Sequence, residues 1–423
     1  MLNFDICSKF VIKKLVFFQL IYIFIILFFI SVFNLPSYFT LLSDFISMYL
    51  LFALIINKKF ILRNNVINFS VFFFFSYCIM SGSINLANGS NIFFLIWGLR
   101  NIFRFYILFY SCLFSFDELD VKKFNKIYSL FFWINFIITL LQYFIFGLRG
   151  DYLGGIFGVE QGCNGYTNIF ITIYFILTII KLKYKQTSLN YFILVIFSLI
   201  LISILSEIKF FYIELIIILF VFLLRSKITI SNIHLYILSF LAILVVIPIL
   251  YSIIPNYFEI LFDSKKRDQY LNYSWINTLV IGRTNAFQVI TNYFFKNNFF
   301  NVLFGMGFGT GETSSILSSN FYIKYGYMQY RNFSFSFAFL QNGLIGMILY
   351  FSFYLSIFYF IFKIPPVKKT KFIENIDLFY LVLITILLNY WYNDSMSVEI
   401  AYFTFIFLAV TIYPFKNCII NDK

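Results

Sequence analysis

Charge is the first thing this sequence has little of. Only 12% of its 423 residues are Asp, Glu, Lys or Arg, against 61% hydrophobic residues. An ordinary soluble domain is about 25% charged, and a chain this poor in charge cannot cover a water-facing surface of its own size. That excludes a soluble enzyme, a nucleic-acid-binding protein and a disordered scaffold. Histidine is nearly absent: the one residue is His234, so a Ser-His-Asp triad elsewhere in the chain has no base to draw on. The five cysteines, Cys7, Cys78, Cys112, Cys163 and Cys418, form no CxxC pair or Cys/His cluster. Neither a disulfide framework nor a zinc site follows from such spacing, and no metal or cofactor is expected.

What is present is long apolar runs. Twelve stretches are apolar enough to read as spans: 15–33, 38–56, 66–81, 92–115, 127–146, 166–180, 190–205, 209–224, 233–253, 334–362, 377–390 and 398–414. The expected fold is an all-α, polytopic membrane helix bundle, one domain over residues 1–423 with a long outer loop at 254–333. The first run follows Lys9, Lys13 and Lys14 and lacks a small-residue cleavage site, so it reads as a span and not a removed signal peptide. Phe is very frequent at 65 residues, a bias that fits A+T-rich coding better than a function.

Loop charge orients the bundle. Alternate loops carry twenty Lys and Arg, while the short loops between them carry two, Arg149 and Lys209. Cytoplasmic loops hold such an excess, so both termini are expected in the cytoplasm. The formal charge of +13 belongs to that pattern and not to nucleic-acid binding. Residues 190–224 break only at Ser206-Glu207-Ile208-Lys209. One helix of that length would run about 52 Å, too long for a ~30 Å hydrocarbon core. Two short helices are expected, with the joint set below the outer membrane surface. Its Glu207 and Lys209 either pair with each other or serve a cavity. In span four, Arg100 and Arg104 share one helical face. They either bind an anionic substrate or pair with buried acids such as Asp44 or Glu214.

The outer loops hold the remaining chemistry. Residues 147–165, GLRGDYLGGIFGVEQGCNG, read as flexible and polar. Residues 254–282 carry a solvated mixed-charge patch. Residues 283–300 suit an amphipathic helix on the membrane surface, with Phe287, Ile290, Phe294 and Phe295 toward lipid. The run LFGMGFGTGE, with Gly305, Gly307, Gly309 and Gly311, lacks the Lys-Ser/Thr of a phosphate loop. It reads as a mobile turn where the backbone closely approaches something. The outward-facing cations are Arg149, Lys209, Arg283, Lys324 and Arg331; the acids are Asp151, Glu160, Glu207 and Glu312. Arginine forks match pyrophosphate oxygens, and a carboxylate can act as base toward a sugar hydroxyl.

The order of these features resembles the O-antigen polymerase (Wzy) and O-antigen ligase superfamily. The segments that carry the resemblance are GGIFGVEQGCNGYTNIF, the SEIK joint, GRTNAF, LFGMGFGTG and RNFSFSFAFLQNGLIG. The resemblance implies a metal-independent inverting glycosyltransferase of the bacterial cytoplasmic (inner) membrane. Its substrate would be an undecaprenyl-pyrophosphate-linked glycan bound beside membrane lipid, and its partners a chain-length regulator and a flippase. Arginines at 149, 283 and 331 would hold pyrophosphate or glycan. The ligase branch carries a histidine where this chain has Tyr330-Arg331-Asn332, which favours the polymerase. The base stays open between Glu207, Glu160 and Glu312.

Overall fold

The computed structural model describes residues 8–57, 65–225, 263–272, 280–314, 317–365, 370 and 372–416. The ninth apolar stretch, 233–253, and His234 lie outside these residues. The main helices are α1 (Lys9–Phe33), α2 (Leu41–Ile56), α3 (Asn65–Ala87), α4 (Ile92–Ser115), α5 (Glu118–Phe144), α6 (Asn164–Lys183), α7 (Leu189–Leu205) and α8 (Lys209–Arg225). Four short helices follow in the long loop: α9 (Ser264–Asn272), α10 (Ala286–Val289), α11 (Phe299–Phe304) and α12 (Asn320–Tyr325). The chain closes with α13 (Ser334–Lys363), α14 (Ile373–Tyr392) and α15 (Ala401–Ile412). Among the described residues eight helices are long and apolar enough to cross a membrane. The chain is therefore a multi-pass helical membrane protein.

Burial sorts the helices into layers. Every residue of α15 from Ala401 to Ile412 is buried, and α6 is buried over most of its length. α1, α2, α3 and α5 turn large apolar side chains outward, among them Phe45, Phe52, Phe72 and Phe144. Such a belt suits lipid and would be unstable in water. α15 packs on α4 and α14, and α3 packs along α13. Aromatic contacts fill the interior: Phe24 stacks on Phe131 at 4.0 Å and on Phe403 at 4.3 Å, and Phe132 on Tyr174 at 3.9 Å.

The two arginines inside α4 are paired with acids. Arg100 meets Asp44 at 2.6 Å, and Arg104 meets Glu399 at 3.0 Å and Asp44 at 3.6 Å. Of the partners expected for these arginines, Asp44 is the one used. Glu214 instead accepts hydrogen bonds from Asn168 and Thr172, at 2.9 Å each, and from Asn389. At the opposite end from α4's start, Lys13 bridges Asp117 (3.0 Å) and Asp120 (2.7 Å). There Asp377 also holds Lys183 at 2.6 Å and Arg225 at 2.7 Å. These contacts tie α1 to α5, and α6 and α8 to α14.

Two sequence expectations are corrected here. The 283–300 segment is not a lipid-facing surface helix. It forms only α10 and one wider turn at Ile290–Phe294, and Ile290, Phe294 and Phe295 are buried in the protein. Phe295 packs on Phe339, and Phe294 on Phe321 and Tyr325. An amphipathic pattern reports an apolar face without naming what covers it, and here α13 and the loop cover it. The glycine run is a docked strap and not a mobile turn. α13 is interrupted at Gly343 (φ +61°, ψ −164°). The freed carbonyls of Leu340 and Gln341 accept from the Met306 and Gly307 amides at 2.9 and 3.0 Å. The Tyr77 hydroxyl donates to Asn342 O at 2.7 Å. A side chain at Gly343 would collide with the Leu303 carbonyl.

Gly343→Ala is expected to abolish most of the folded yield after detergent extraction. Gly89 also has positive φ, but a Cβ there meets open space. Gly89→Ala should therefore cost only about 1 kcal/mol of stability, the strain of a Cβ at positive φ. Fluorescence-detected size exclusion of both variants checks the contrast, and equal yields would remove the docking role of Gly343.

Candidate functional site

The loop residues converge because the 147–165 loop, the α7–α8 joint, the long loop and the turn after α14 fold back onto the helix ends. The 147–165 loop is pinned from below, so the flexibility expected of it is not seen. Gln142 donates to Gly155 O at 2.9 Å and accepts from the Gly155 amide at 2.8 Å. Asn135 accepts from the Ile156 amide at 2.9 Å. Gly155 has φ +62°, and a Cβ there would strike Asn135.

The joint between α7 and α8 is a helix-terminating turn. Ile208 N–H bonds Ser203 O at 2.8 Å and Glu207 N–H bonds Ile204 O at 3.1 Å. Glu207 sits at the left-handed position with φ +50°, where glycine is usual. Each flanking helix has 17 residues, about 25 Å of rise, which is short of a ~30 Å core. A carboxylate in that backbone conformation is a strain worth a functional reading.

A cavity of about 1020 Å³ lies between these segments. Arg149, Glu160, Glu207, Lys209 and Arg283 all line it, as does Asp151. Arg149 lies 3.6 Å over the Tyr143 ring. Arg283 lies 4.1 Å over the Tyr392 ring and donates through Nε to Tyr392 O at 3.1 Å. Tyr392 in turn stacks on Phe210 at 3.7 Å. Aromatic and backbone contacts thus hold Arg283 at the cavity wall. Leu27 and Ile30, near the end of α1, give the cavity an apolar edge.

A second cavity of about 270 Å³ opens beside it and is lined by Glu312 and Arg331. Arg331 reaches Glu312 at 3.8 Å, and Glu312 accepts from Asn101 (3.3 Å) and Gln341 (3.2 Å). Burial pushes the Glu312 carboxyl up from its ordinary value, with Arg331 pulling the other way. Gln329, Asn332 and Asp394 line both cavities. Arg100 and Arg104 line neither and are held by Asp44 and Glu399. Lys324 is exposed on α12, outside both cavities. Among the described residues no group of three or more His, Cys, Asp or Glu side chains comes together.

No protein-family model, curated protein or solved structure matches this chain.

Sequence reasoning missed Asp394. It follows α14 in the stretch YWYNDSM, and the available signal was an acid just beyond the outer end of an apolar run. Burial raises its carboxyl to about 6, with Arg331 opposing and Glu399 adding to the rise. A carboxylate with that proton affinity, at the junction of two cavities, suits general base work near neutral pH.

The shift has a stability consequence. The folded state favours the protonated acid, so its contribution is present below the ordinary value of 3.8 and is lost as pH rises through about 6. Asp394→Asn should therefore melt higher than the wild type at pH 8. The gap should close as pH falls from about 6 toward 4. Thermal midpoints at several pH values check this, and a gap independent of pH would contradict it.

Proposed function

We propose that the chain is a repeat-unit polymerase acting on undecaprenyl-pyrophosphate-linked glycans at the outer face of the bacterial cytoplasmic membrane. One observation carries the reading. Arg149, Glu160, Glu207, Lys209 and Arg283, brought together from the 147–165 loop, the α7–α8 joint and the long loop, line one large cavity. That cavity has cations for a pyrophosphate and an apolar edge at Leu27 and Ile30 for the first isoprenyl carbons.

The reaction is an inverting displacement. The growing glycan on its lipid pyrophosphate is the donor. A hydroxyl at the non-reducing end of a new lipid-linked repeat attacks the donor's anomeric carbon. The bond from that carbon to the pyrophosphate oxygen breaks, and undecaprenyl pyrophosphate leaves with the electron pair. Asp394 takes the hydroxyl proton; it replaces Glu207, Glu160 and Glu312 as the leading base because it lines both cavities. Arg283, Arg149 and Lys209 hold the charge that develops on the leaving group. Preformed donors of this kind are each worth on the order of 10²–10³ in rate. Glu207 and Glu160 are left to bind sugar hydroxyls. Arg331 acts through Glu312.

Arg283→Ala and Arg149→Ala are each expected to abolish chain extension with expression intact. Wild-type chain length in either variant would remove that arginine from the site. The whole reading is tested in a deletion strain, with its surface glycan resolved by gel and its lipid-linked pool by mass spectrometry. Single repeats at the surface with the ladder gone support the polymerase. Long polymer stranded on undecaprenyl pyrophosphate would mean a ligase, and single repeats trapped on the cytoplasmic face would mean a flippase.

A further inference from the structure

The smaller cavity differs in chemistry from its neighbour. Its one cation, Arg331, is matched to Glu312 at 3.8 Å. Its other polar lining is neutral apart from Asp394: Asn101, Gln341, Asn342 and Ser397 among others. Its deeper wall is aromatic, formed by Phe74, Tyr106, Tyr350, Tyr390 and Phe405. Such a wall can lie against the C–H face of a sugar ring, while the amides meet its hydroxyls.

Three lining groups there are buried without a partner. The hydroxyls of Tyr106 and Tyr390 and the side-chain oxygen of Asn342 make no hydrogen bond. These residues are 0%, 4% and 2% exposed. Buried polar atoms are nearly always satisfied, and an orphan is costly to leave. Three orphans on one cavity point to a ligand rich in hydroxyl groups. An anion would not suit them, because among the described residues the cavity offers no second cation to receive it.

We propose that this smaller cavity is the acceptor subsite, binding an uncharged terminal saccharide through Tyr106, Tyr390, Asn342 and Gln341 and presenting its hydroxyl to Asp394. The proposal rests on the glycosyl-transfer reading. It separates the two substrates of one reaction: the pyrophosphate end of the donor in the large cavity, and the acceptor sugar in the small one. Asp394 lies where they meet.

The test uses the full-length protein in nanodiscs. The probe is the oligosaccharide repeat released from the host's lipid-linked pool by mild acid, which lacks pyrophosphate and lipid. Its binding is followed by titration calorimetry. Tyr390→Phe and Tyr106→Phe each remove only an oxygen that has no protein partner, so both should keep or raise the thermal midpoint. Each is expected to weaken probe binding about tenfold. Wild-type affinity in both tyrosine variants would overturn the subsite. Loss of binding in Arg283→Ala, with the tyrosine variants unaffected, would also overturn it and place the sugar in the large cavity. If no released repeat binds the wild-type protein, the glycosyl-transfer reading itself fails, and the subsite fails with it.

Discussion

The architecture depends on one rule: inside a membrane every backbone polar group must find a partner within the protein. The break in α13 shows the rule at work. A positive-φ residue at Gly343 frees the carbonyls of Leu340 and Gln341, and the amides of Met306 and Gly307 take them up. The Tyr77 hydroxyl covers the next carbonyl, at Asn342. The strap is then tied to α3 as well, with Phe308 N–H on Ser81 and Asn85 on Phe308 O. An interrupted helix that would be unstable alone becomes a rigid corner. That corner positions the smaller cavity, because Gln341 reaches Thr310 O and the Glu312 carboxylate from it.

The charged groups divide by the same logic. An intramembrane charge is expensive unless it is paired or has other work. Arg104 is almost wholly buried and is answered by Glu399 and Asp44. Asp377 answers two cations at the other end. These sets hold helices together. The arginines that reach the large cavity stack on aromatic faces, Arg149 on Tyr143 and Arg283 on Tyr392. Those of α4 do so too, Arg100 over Trp97 at 4.3 Å and Arg104 over Phe105 at 4.9 Å. Place separates the two sets: the α4 arginines are bound to Asp44 and Glu399 and line neither cavity, while Arg149 and Arg283 line the larger one.

Much of the fold was legible in the sequence. Eleven of the twelve apolar stretches are helical over most of their length among the described residues, because hydropathy and length decide a span almost locally. The split of 190–224 into two helices at Ser206–Ile208 was also legible, since one helix of that length cannot fit a bilayer. The site was legible in part. Arg149, Glu160, Glu207, Lys209 and Arg283 were singled out by their chemistry and their place between apolar runs, and they do meet. Asp394 was not, because one acid after an apolar run looks like any solvated loop residue until its burial is known.

The sequence by itself determined that this is a helical membrane protein, and it singled out the charged side chains of the loops between the apolar runs. Composition and hydropathy are sums over local residues, and the bilayer reads them as sums. Only the tertiary structure decided which face of 283–300 is covered and by what, and that the glycines of 305–311 are docked. It also decided that Arg100 and Arg104 pair with Asp44 and Glu399, and that Asp394 stands between two cavities. Each of these is a contact between residues far apart in the chain. Its energy depends on a partner's position, which no local pattern encodes.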